Sequence, residues 1–563
     1  MDRRHSALMV WRESRSTRIV SLTRLVVKTL VVGIPFGFIV LFFLYPVSSI
    51  IWRGLTFGGV FNPEVLGDIA SDSGFRGVIW FTFWQSLIST FITLAVALPG
   101  AYVISQYKFR GRSLLRAAIT VPLILPTLVV GVTFLTLAGP EGSFGANLKG
   151  SIWIILLAHV FYNYAVVVRT VGSFWSHLDP RMEQAARVLG ASRIRAFLEV
   201  TLPLLRPAMA AAASIVFLFS FTSFGVILIL GAPRKATLEV EIFRQTADLL
   251  NLPVAAGLAI VQLVGVFIIL LVYSRYQKRR SVELILRSSS DVERRLVSWK
   301  SKAVLTANLI FMGVLLFAPL GVLVKRSFTT AAGFGLNYYR NLSQGGRGAS
   351  LSISPIEAIT NSLLFALVAA LIAVIVGGLA SIVVAYGQGR FSQWFDSLLM
   401  LPLGTSAVTI GFGFLISLDK GIVDLRTKWI LIPLAHALVA IPFVIRVMVP
   451  MIRAIDRRLR EAAAVLGASP ARVGWEIDLP IVAKAGLVGA GFAAAVSLGE
   501  FGATAFIVRP DVLTLPVAIF KLLGRPGELN FGMAMAMSVI LMVVCGGVMM
   551  VVERFRSGSV GTF

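Results

Sequence analysis

Apolar residues fill this chain in long blocks. They show neither the one-sided stripe of a surface helix nor the strict alternation of a half-buried strand. Twelve blocks stand out, at about 31–52, 79–106, 114–138, 152–171, 205–231, 252–274, 303–324, 359–387, 395–418, 428–449, 481–508 and 531–552. Each is long enough for a helix that crosses the hydrocarbon core of a bilayer, which takes about 20 residues. Strands of a membrane barrel would alternate in polarity and be half as long, so a barrel is excluded. The pattern predicts an all-α membrane protein of about 12 transmembrane helices.

The blocks divide six and six, and the division repeats in detail. Gln184-Ala185-Ala186-Arg187-Val188-Leu189-Gly190-Ala191-Ser192 is followed by Leu202-Pro203. Glu461-Ala462-Ala463-Ala464-Val465-Leu466-Gly467-Ala468-Ser469 is followed by Leu479-Pro480. Every landmark moves by 277 positions, and the same offset relates Leu157-Ala158-His159 to Leu434-Ala435-His436, Arg169 to Arg446, Phe224-Gly225 to Phe501-Gly502 and Thr237-Leu238 to Thr514-Leu515. A constant offset over such a stretch is the mark of an internal duplication. Six spans return the chain to its starting side, so the copies are parallel repeats. The expected organisation is a basic N-terminal segment (1–30), a first six-helix unit (31–274) with its paired loop at 181–203, a linker (275–302), a second unit (303–553) with its loop at 458–480, and a short tail (554–563).

Composition agrees with this reading. Charged residues make up 14% of the chain and hydrophobic ones 57%, too few charges to cover a soluble protein of 563 residues. Mean hydropathy is +0.86. The net charge of +25 raises the question of nucleic acid, but the basic residues are not gathered on one face. They fall in alternate loops: Arg3, Arg4, Arg12, Arg15, Arg18 and Arg24 before the first block, Lys108, Arg110 and Arg112 after the second, then around 172–204, 275–302 and 451–472. Alternating basic loops mark the cytoplasmic side and meet anionic headgroups. The expectation is a multi-pass protein of a bacterial-type cytoplasmic (inner) membrane with both termini inside, a partner of the lipid bilayer and not of nucleic acid. The first apolar block reads as a retained span, not a cleaved signal. The single cysteine, Cys545, allows neither an internal disulfide nor a thiolate metal cluster.

The paired polar loops are the most informative feature. In the first, Asp179-Pro180 is a capping residue followed by a proline suited to a first helical turn. Ala185, Ala186 and Leu189 then share a face, Gly190 interrupts, and Pro203 ends the segment before the fifth block. In the second, Asp456 lies upstream and Gly467 and Pro480 keep their places. An isolated segment of this kind reads as an amphipathic helix lying on a membrane. Two at one spacing, with small Ala and Gly faces where lipid would favour Leu, Phe or Trp, read instead as segments inserted into a protein groove.

These loops resemble the EAA loops of permease subunits of ATP-binding-cassette importers, in which Glu-Ala-Ala is followed by three residues, Gly and a later Leu-Pro. Glu461, Ala462, Ala463 and Gly467 match throughout. In the first copy Ala185, Ala186 and Gly190 match, Gln184 stands in place of the glutamate, and Glu183 is one position early. The resemblance implies a type I importer permease fold, with each loop a coupling helix seated on an ATPase subunit. It implies two such ATPases, which use ATP and magnesium, and an extracytoplasmic solute-binding protein. The chain itself carries no Gly-x-x-x-x-Gly-Lys-Ser/Thr phosphate loop. It has no catalytic triad and no metal-ligand cluster, so no cofactor, metal or enzymatic activity of its own is expected.

Fused permeases of this kind resemble the thiamine and ferric-iron import group. The segments Phe83-Trp84-Gln85, Ile155-Leu-Leu-Ala-His159-Val-Phe161-Tyr-Asn163, Ser223-Phe224-Gly225, Thr237-Leu-Glu239-Val-Glu241-Ile-Phe243, Ser497-Leu-Gly-Glu500-Phe501-Gly502 and Leu513-Thr-Leu-Pro516 resemble the thiamine type. Thiamine or a related organic cation is the expected cargo, with ferric iron as the alternative. Candidate pathway residues are Glu500, a costly ionisable group within an apolar block, the aromatic residues Trp84, Phe161 and Tyr162, which could stack on a cation, and the repeat-related His159 and His436, which serve equally as interhelical hydrogen-bond partners. Arg169 and Arg446 are expected to snorkel to the inner surface. An ion-coupled secondary transporter is the rival from another class. It predicts charged midplane sites and often inverted repeats, whereas here the repeats are parallel and buried charge is sparse.

Overall fold

The computed structural model describes residues 29–280, 294–295 and 298–557, apart from 58–59, 62–63, 141, 144, 234, 332, 344–350, 388 and 419–423. The basic N-terminal segment, most of the linker, the Gly345–Gly348 loop and the end of the tail lie outside the described residues.

The first repeat comprises α1 (Thr29–Leu55), α2 (Glu64–Ser71), α3 (Ser73–Gln106), α4 (Arg112–Ile124), α5 (Thr127–Ala138), α6 (Ile152–Trp175), α7 (Arg181–Val188), α8 (Arg193–Phe221), α9 (Gly225–Leu230), α10 (Leu238–Phe243) and α11 (Leu252–Arg280). The second comprises α12 (Trp299–Phe328), α13 (Asn337–Arg340), α14 (Pro355–Tyr386), α15 (Arg390–Met400), α16 (Ala407–Ser417), α17 (Leu431–Arg453), α18 (Arg457–Val465), α19 (Pro470–Gly499), α20 (Thr504–Ile507), α21 (Leu515–Leu523) and α22 (Glu528–Ser557). Among the described residues, ten helices are long and apolar enough to cross a bilayer.

Two of the twelve expected spans, one in each copy, are not straight helices. The 114–138 block bends by 94° between α4 and α5, and the 395–418 block bends by 95° before α16. Proline explains the first break: Pro122 and Pro126 flank it and remove amide donors from the turn. Pro402 does the same in the second, where Leu401–Gly404 is a tight 3-10 turn. The fifth blocks also end sooner than their apolar runs. Helix α8 stops at Phe221 and α19 at Gly499, and short helices α9 and α20 follow after a turn. An apolar run records burial, and burial continues through both turns.

Several hydroxyls of α3 are paired locally. Along α3 the hydroxyls of Thr82, Ser86, Thr90 and Thr93 each donate to the carbonyl four residues earlier, at 2.6–2.7 Å. Glycine brings helices close. A side chain at Gly411 of α16 would collide with the backbone of Ala503, and one at Gly377 of α14 would press on Val444 of α17 at 3.0 Å.

The first helix of each repeat packs on the other repeat. Helix α1 lies along α16, and α12 lies along α5. The Tyr45 hydroxyl donates to the Ser417 carbonyl at 3.2 Å, and Arg53 donates to that of Ile416 at 3.4 Å. The units read from the sequence thus interlock in space.

Both paired loops occupy one end of the bundle. Trp175, just before α7, meets Tyr102 near the end of α3, and Tyr107 beyond it packs with Leu305 at the start of α12. Helix α14 starts at the opposite end, where Asn361 donates to the Leu513 carbonyl. Glu528 there bridges the start of α22 to Tyr338 and Ala331, beyond the end of α12.

Candidate functional site

The two loops have the same construction. Helix α7 begins after Asp179, whose Oδ1 accepts from the amide of Arg181 at 3.0 Å. Helix α18 begins after Asp456, whose Oδ1 accepts from Arg458 at 2.9 Å. Each helix ends at its glycine. Gly190 has φ +92° and Gly467 φ +82°, the left-handed region that costs a side chain dearly. The next amide closes the turn: Ala191 donates to the Ala186 carbonyl at 3.0 Å, and Ala468 to the Ala463 carbonyl at 2.9 Å. This is the glycine-terminated motif that satisfies the last carbonyls of a helix. Ser192 and Ser469 then cap the start of the fifth spans, accepting from Arg195 and Arg472. Among the described residues beyond its chain neighbours, no atom lies within 4 Å of a Cβ built at either glycine. Backbone conformation, not crowding within the chain, requires them.

Neither α7 nor α18 has a buried residue. Val188 and Leu189 are 87% and 88% exposed, and Val465 and Leu466 are both 87% exposed. Four large aliphatic side chains held out at one end of the bundle are costly in water unless a partner covers them. Glu183, Gln184, Ala185 and Ala186 lie on the exposed α7, and Glu461, Ala462 and Ala463 on α18. Glu461 faces Arg457 at 3.4 Å, and both are largely exposed. Sequence reading selected the glutamate, alanine and glycine positions and named Leu189, but it did not single out Val188, Val465 and Leu466. Their repetition as Val-Leu-Gly in both copies was the available signal.

At the opposite half of the bundle, the turns after the fifth spans bring the repeats together. Phe224 stacks on Phe501 with centroids 5.2 Å apart, and Phe243 meets Phe506 edge-on at 5.5 Å and Phe520 at 6.2 Å. The pairs 224/501 and 243/520 each occupy the same place in their repeats. A position and its own repeat mate touch only near the axis relating the two copies. The rings therefore form an apolar septum on that axis, and all but the half-buried Phe243 and Phe520 are buried.

Beside the septum sit two buried carboxylates, one from each repeat. Glu500 accepts from the Ala503 amide at 2.8 Å. Glu239, on α10, accepts from Gln262 Nε2 at 2.7 Å and from the Ser406 hydroxyl, and lies within electrostatic reach of Glu500. Ser406 caps α16, accepting from the Val408 amide at 3.1 Å, so both acids gather where a helix N-terminus favours negative charge. The repeat mates of Glu239 and Glu500 are Pro516 and Ser223. The acidic site is therefore one-sided. Tyr162 lies within reach of Glu500 and packs on Phe219. Glu239 was part of a quoted motif but was not selected as a pathway residue, because α10 is too short to show a periodic pattern.

The two histidines adjoin these turns, and the remaining candidates lie elsewhere. His159 is bonded through Nδ1 to Ser89 and through Nε2 to Ser223, both at 2.9 Å. His436 bridges Ser497 and Thr504, both at 2.7 Å. With both ring nitrogens of each occupied, the histidines brace neighbouring helices. Phe161 is fully buried against Phe134, and Trp84 packs edge-on to Phe81. Arg169 reaches Thr120 and Arg446 stands 3.9 Å from Asp396. Among the described residues, no group of three or more His, Cys, Asp or Glu could hold a metal ion.

Comparison with known proteins completes the picture. The thiamine transport system permease protein ThiP of Brucella abortus (strain 2308) is 28% identical over 506 residues, covering 87% of this chain and 90% of its own. ThiP of Escherichia coli (strain K12) is 25% identical, with 87% and 91% covered. The probable ABC transporter permease protein y4fN of Sinorhizobium fredii is 22% identical, with 92% and 94% covered. A solved chain described as a bacterial ABC transporter involved in the import of alginate aligns with 48% of this chain at 15% identity and a TM-score of 0.37. The family model for the binding-protein-dependent transport system inner membrane component matches twice, at residues 97–282 and 373–556. Each match contains one exposed loop and one half of the septum, and together they cover more than half of the chain: this multi-pass membrane protein belongs to that family, as two permease units of an ABC importer fused in one polypeptide.

Proposed function

We propose that this permease is driven by two separate ATPase subunits, seated on α7 and α18, and imports thiamine or a closely related organic cation. One observation carries the coupling role: the same capped helix, glycine stop and exposed Val-Leu tip recur in both repeats at one end of the bundle. Twin apolar tips suit twin clefts. In this reading ATP, with magnesium, is bound and hydrolysed by the partners. Closure of the ATPases drives the two loops together and alternates access to the pathway. The loop end is cytoplasmic, as are both termini. The opposite end, with the septum shut, faces an extracytoplasmic binding protein, and the chain performs no chemistry of its own.

The cargo assignment is supported by the names of the relatives and by the acid pair. Glu239 and Glu500 sit beside the aromatic septum on the axis, a setting that favours an aromatic cation over an anion. Uptake of labelled thiamine in cells with and without the gene tests it. Gene-dependent thiamine accumulation is expected. Accumulation of ferric ion instead would overturn the cargo while leaving the importer reading intact, and failure of any ATPase to co-purify with the chain would overturn the importer reading itself.

A further inference from the structure

The two exposed loops are alike, but their mounts are not. In the second repeat Arg460, on α18, donates from Nε to Asp478 Oδ1 at 2.7 Å and from a terminal nitrogen to the Tyr386 hydroxyl, and its guanidinium lies 4.9 Å from the centre of the Tyr386 ring. Asp478 belongs to the first turns of the fifth span, α19, and Tyr386 is the last residue of α14. One side chain thus ties the exposed helix to two spans. A neighbouring bond from Arg453 to the Val384 carbonyl, at 3.0 Å, ties α17 to the same end of α14.

The residues 277 positions earlier are Glu183, Thr201 and Phe109, so the Arg–Asp–Tyr set is not repeated there. In the first repeat an aromatic contact joins the spans around the loop. Tyr102 near the end of α3 packs on Trp175 at 5.3 Å, and Trp175 stacks on Phe197 of α8 at 6.0 Å and 25°. The positions 277 later are Leu379, Ile452 and Gly474, so the aromatic clasp is missing from the second repeat. The aromatic stack joins spans around the first exposed helix, whereas the Arg460 clasp reaches from the second exposed helix itself.

We propose that Arg460 is a positioning residue for transport: through Asp478 and Tyr386 it makes the second coupling helix move as one body with α14 and α19, whereas in the first repeat the Tyr102–Trp175–Phe197 stack joins α3, α6 and α8, the spans around α7. The inference rests on the coupling role proposed above. A guanidinium suits this task because its planar fork donates in two directions while its face covers a ring. The Arg460 and Asp478 side chains are about one-quarter exposed, so the pair is less screened than a surface pair. The mounts should therefore fail differently. The ionic one is undone by removing a charge, and the aromatic one by removing a ring.

The test uses the whole transporter, this chain with its ATPase subunits, in proteoliposomes, reading labelled thiamine imported per ATP hydrolysed. Arg460→Gln and Asp478→Asn are each expected to lower that ratio about fivefold while ATPase association stays within about twofold. The exchanged pair, Arg460→Asp with Asp478→Arg, restores the ratio to within about twofold of the unaltered protein. Arg472→Gln removes an equally short but exposed pair with Glu476 and leaves the ratio unchanged. A merely structural role would lower the amount of assembled transporter without moving the ratio. If Arg460→Gln does not accumulate, Asp478→Asn, a near-isosteric exchange, carries the same expectation. An unmoved ratio in assembled single variants, or no recovery in the exchanged pair, overturns the inference. If no ATPase assembles even with the unaltered chain, the coupling reading itself fails.

Discussion

Phe224 and Phe501 occupy the same position in the two repeats and lie face to face, with ring centres 5.2 Å apart and planes 16° apart. This contact places the axis between the repeats at the turn that ends each fifth span. It also makes the septum a joint product of both copies, so opening it requires the halves to separate. Phe224→Ala and Phe501→Ala should each raise passive leak of solute through the reconstituted permease. Their effects on stability should fall short of additivity by about 1 kcal/mol, the usual worth of an aromatic pair beyond its area. A double-mutant cycle of unfolding in mixed micelles measures this, and full additivity would show that the rings do not interact.

Gly190 and Gly467 end their helices at positive φ with open space around them. Alanine at either place should cost about 1–2 kcal/mol in the left-handed conformation. Because nothing in the chain crowds the site, the loss should fall on the shape of the loop and not on folding of the spans. Gly467→Ala is expected to weaken ATPase association about tenfold with unchanged expression, and Gly467→Asn, which tolerates this conformation, by less. Equal effects of Ala and Asn would point to a need for bare space against the partner instead.

The tips give a sharper contrast. Val188, Leu189, Val465 and Leu466 are nearly free of contacts within the chain, so exchange for serine should leave the melting temperature in place. If they fill apolar clefts, each pair should contribute about 2–3 kcal/mol to the complex, and Val465→Ser with Leu466→Ser should weaken ATPase binding about 30-fold or more. Titration of the purified ATPase against the detergent-solubilised permease reads this directly. A lowered melting temperature with unchanged binding would assign these residues to the fold.

Much of this architecture was legible in the sequence, for physical reasons. Span number follows from the length of apolar blocks, and the duplication from a fixed offset that no insertion disturbs. The glycine stops were readable as interruptions that admit a close neighbour, whereas the structure gives them a left-handed turn with open space around it. What remained hidden was geometry that hydrophobicity does not encode. The bends at 122–126 and 401–404 lie within apolar runs, because hydrophobicity records an apolar setting and not the direction of the chain. The exchange of α1 and α12 between repeats leaves no periodic trace. Glu239 went unselected because its short helix carries no pattern, and its partner Glu500 comes from the other repeat. The differing mounts of the two loops emerge only when Arg460 is placed beside Tyr386, 74 positions away.

The acid pair sets the final prediction. Glu239 and Glu500 come from different repeats, are buried beside the septum, and have Pro516 and Ser223 as repeat mates, so nothing on the other side of the axis doubles their charge. A carboxylate near a cation's path in a low-dielectric setting lowers the barrier to that cation far more than it would in water. Glu500→Gln keeps an oxygen to accept from the Ala503 amide and removes the ionisable group. Its effect should therefore appear in transport and not in stability. Glu500→Gln and Glu239→Gln are each expected to slow uptake of labelled thiamine about tenfold at fixed ATPase loading, and Glu500→Lys to abolish it. His436→Gln, which disturbs the bonds to Ser497 and Thr504, should instead lower the melting temperature and leave the preference for cations over neutral analogues intact. Uptake assayed in proteoliposomes with thiamine and an uncharged analogue separates these outcomes. If neutralising either acid slows both solutes equally, the pair is a brace between repeats rather than the source of cation selectivity.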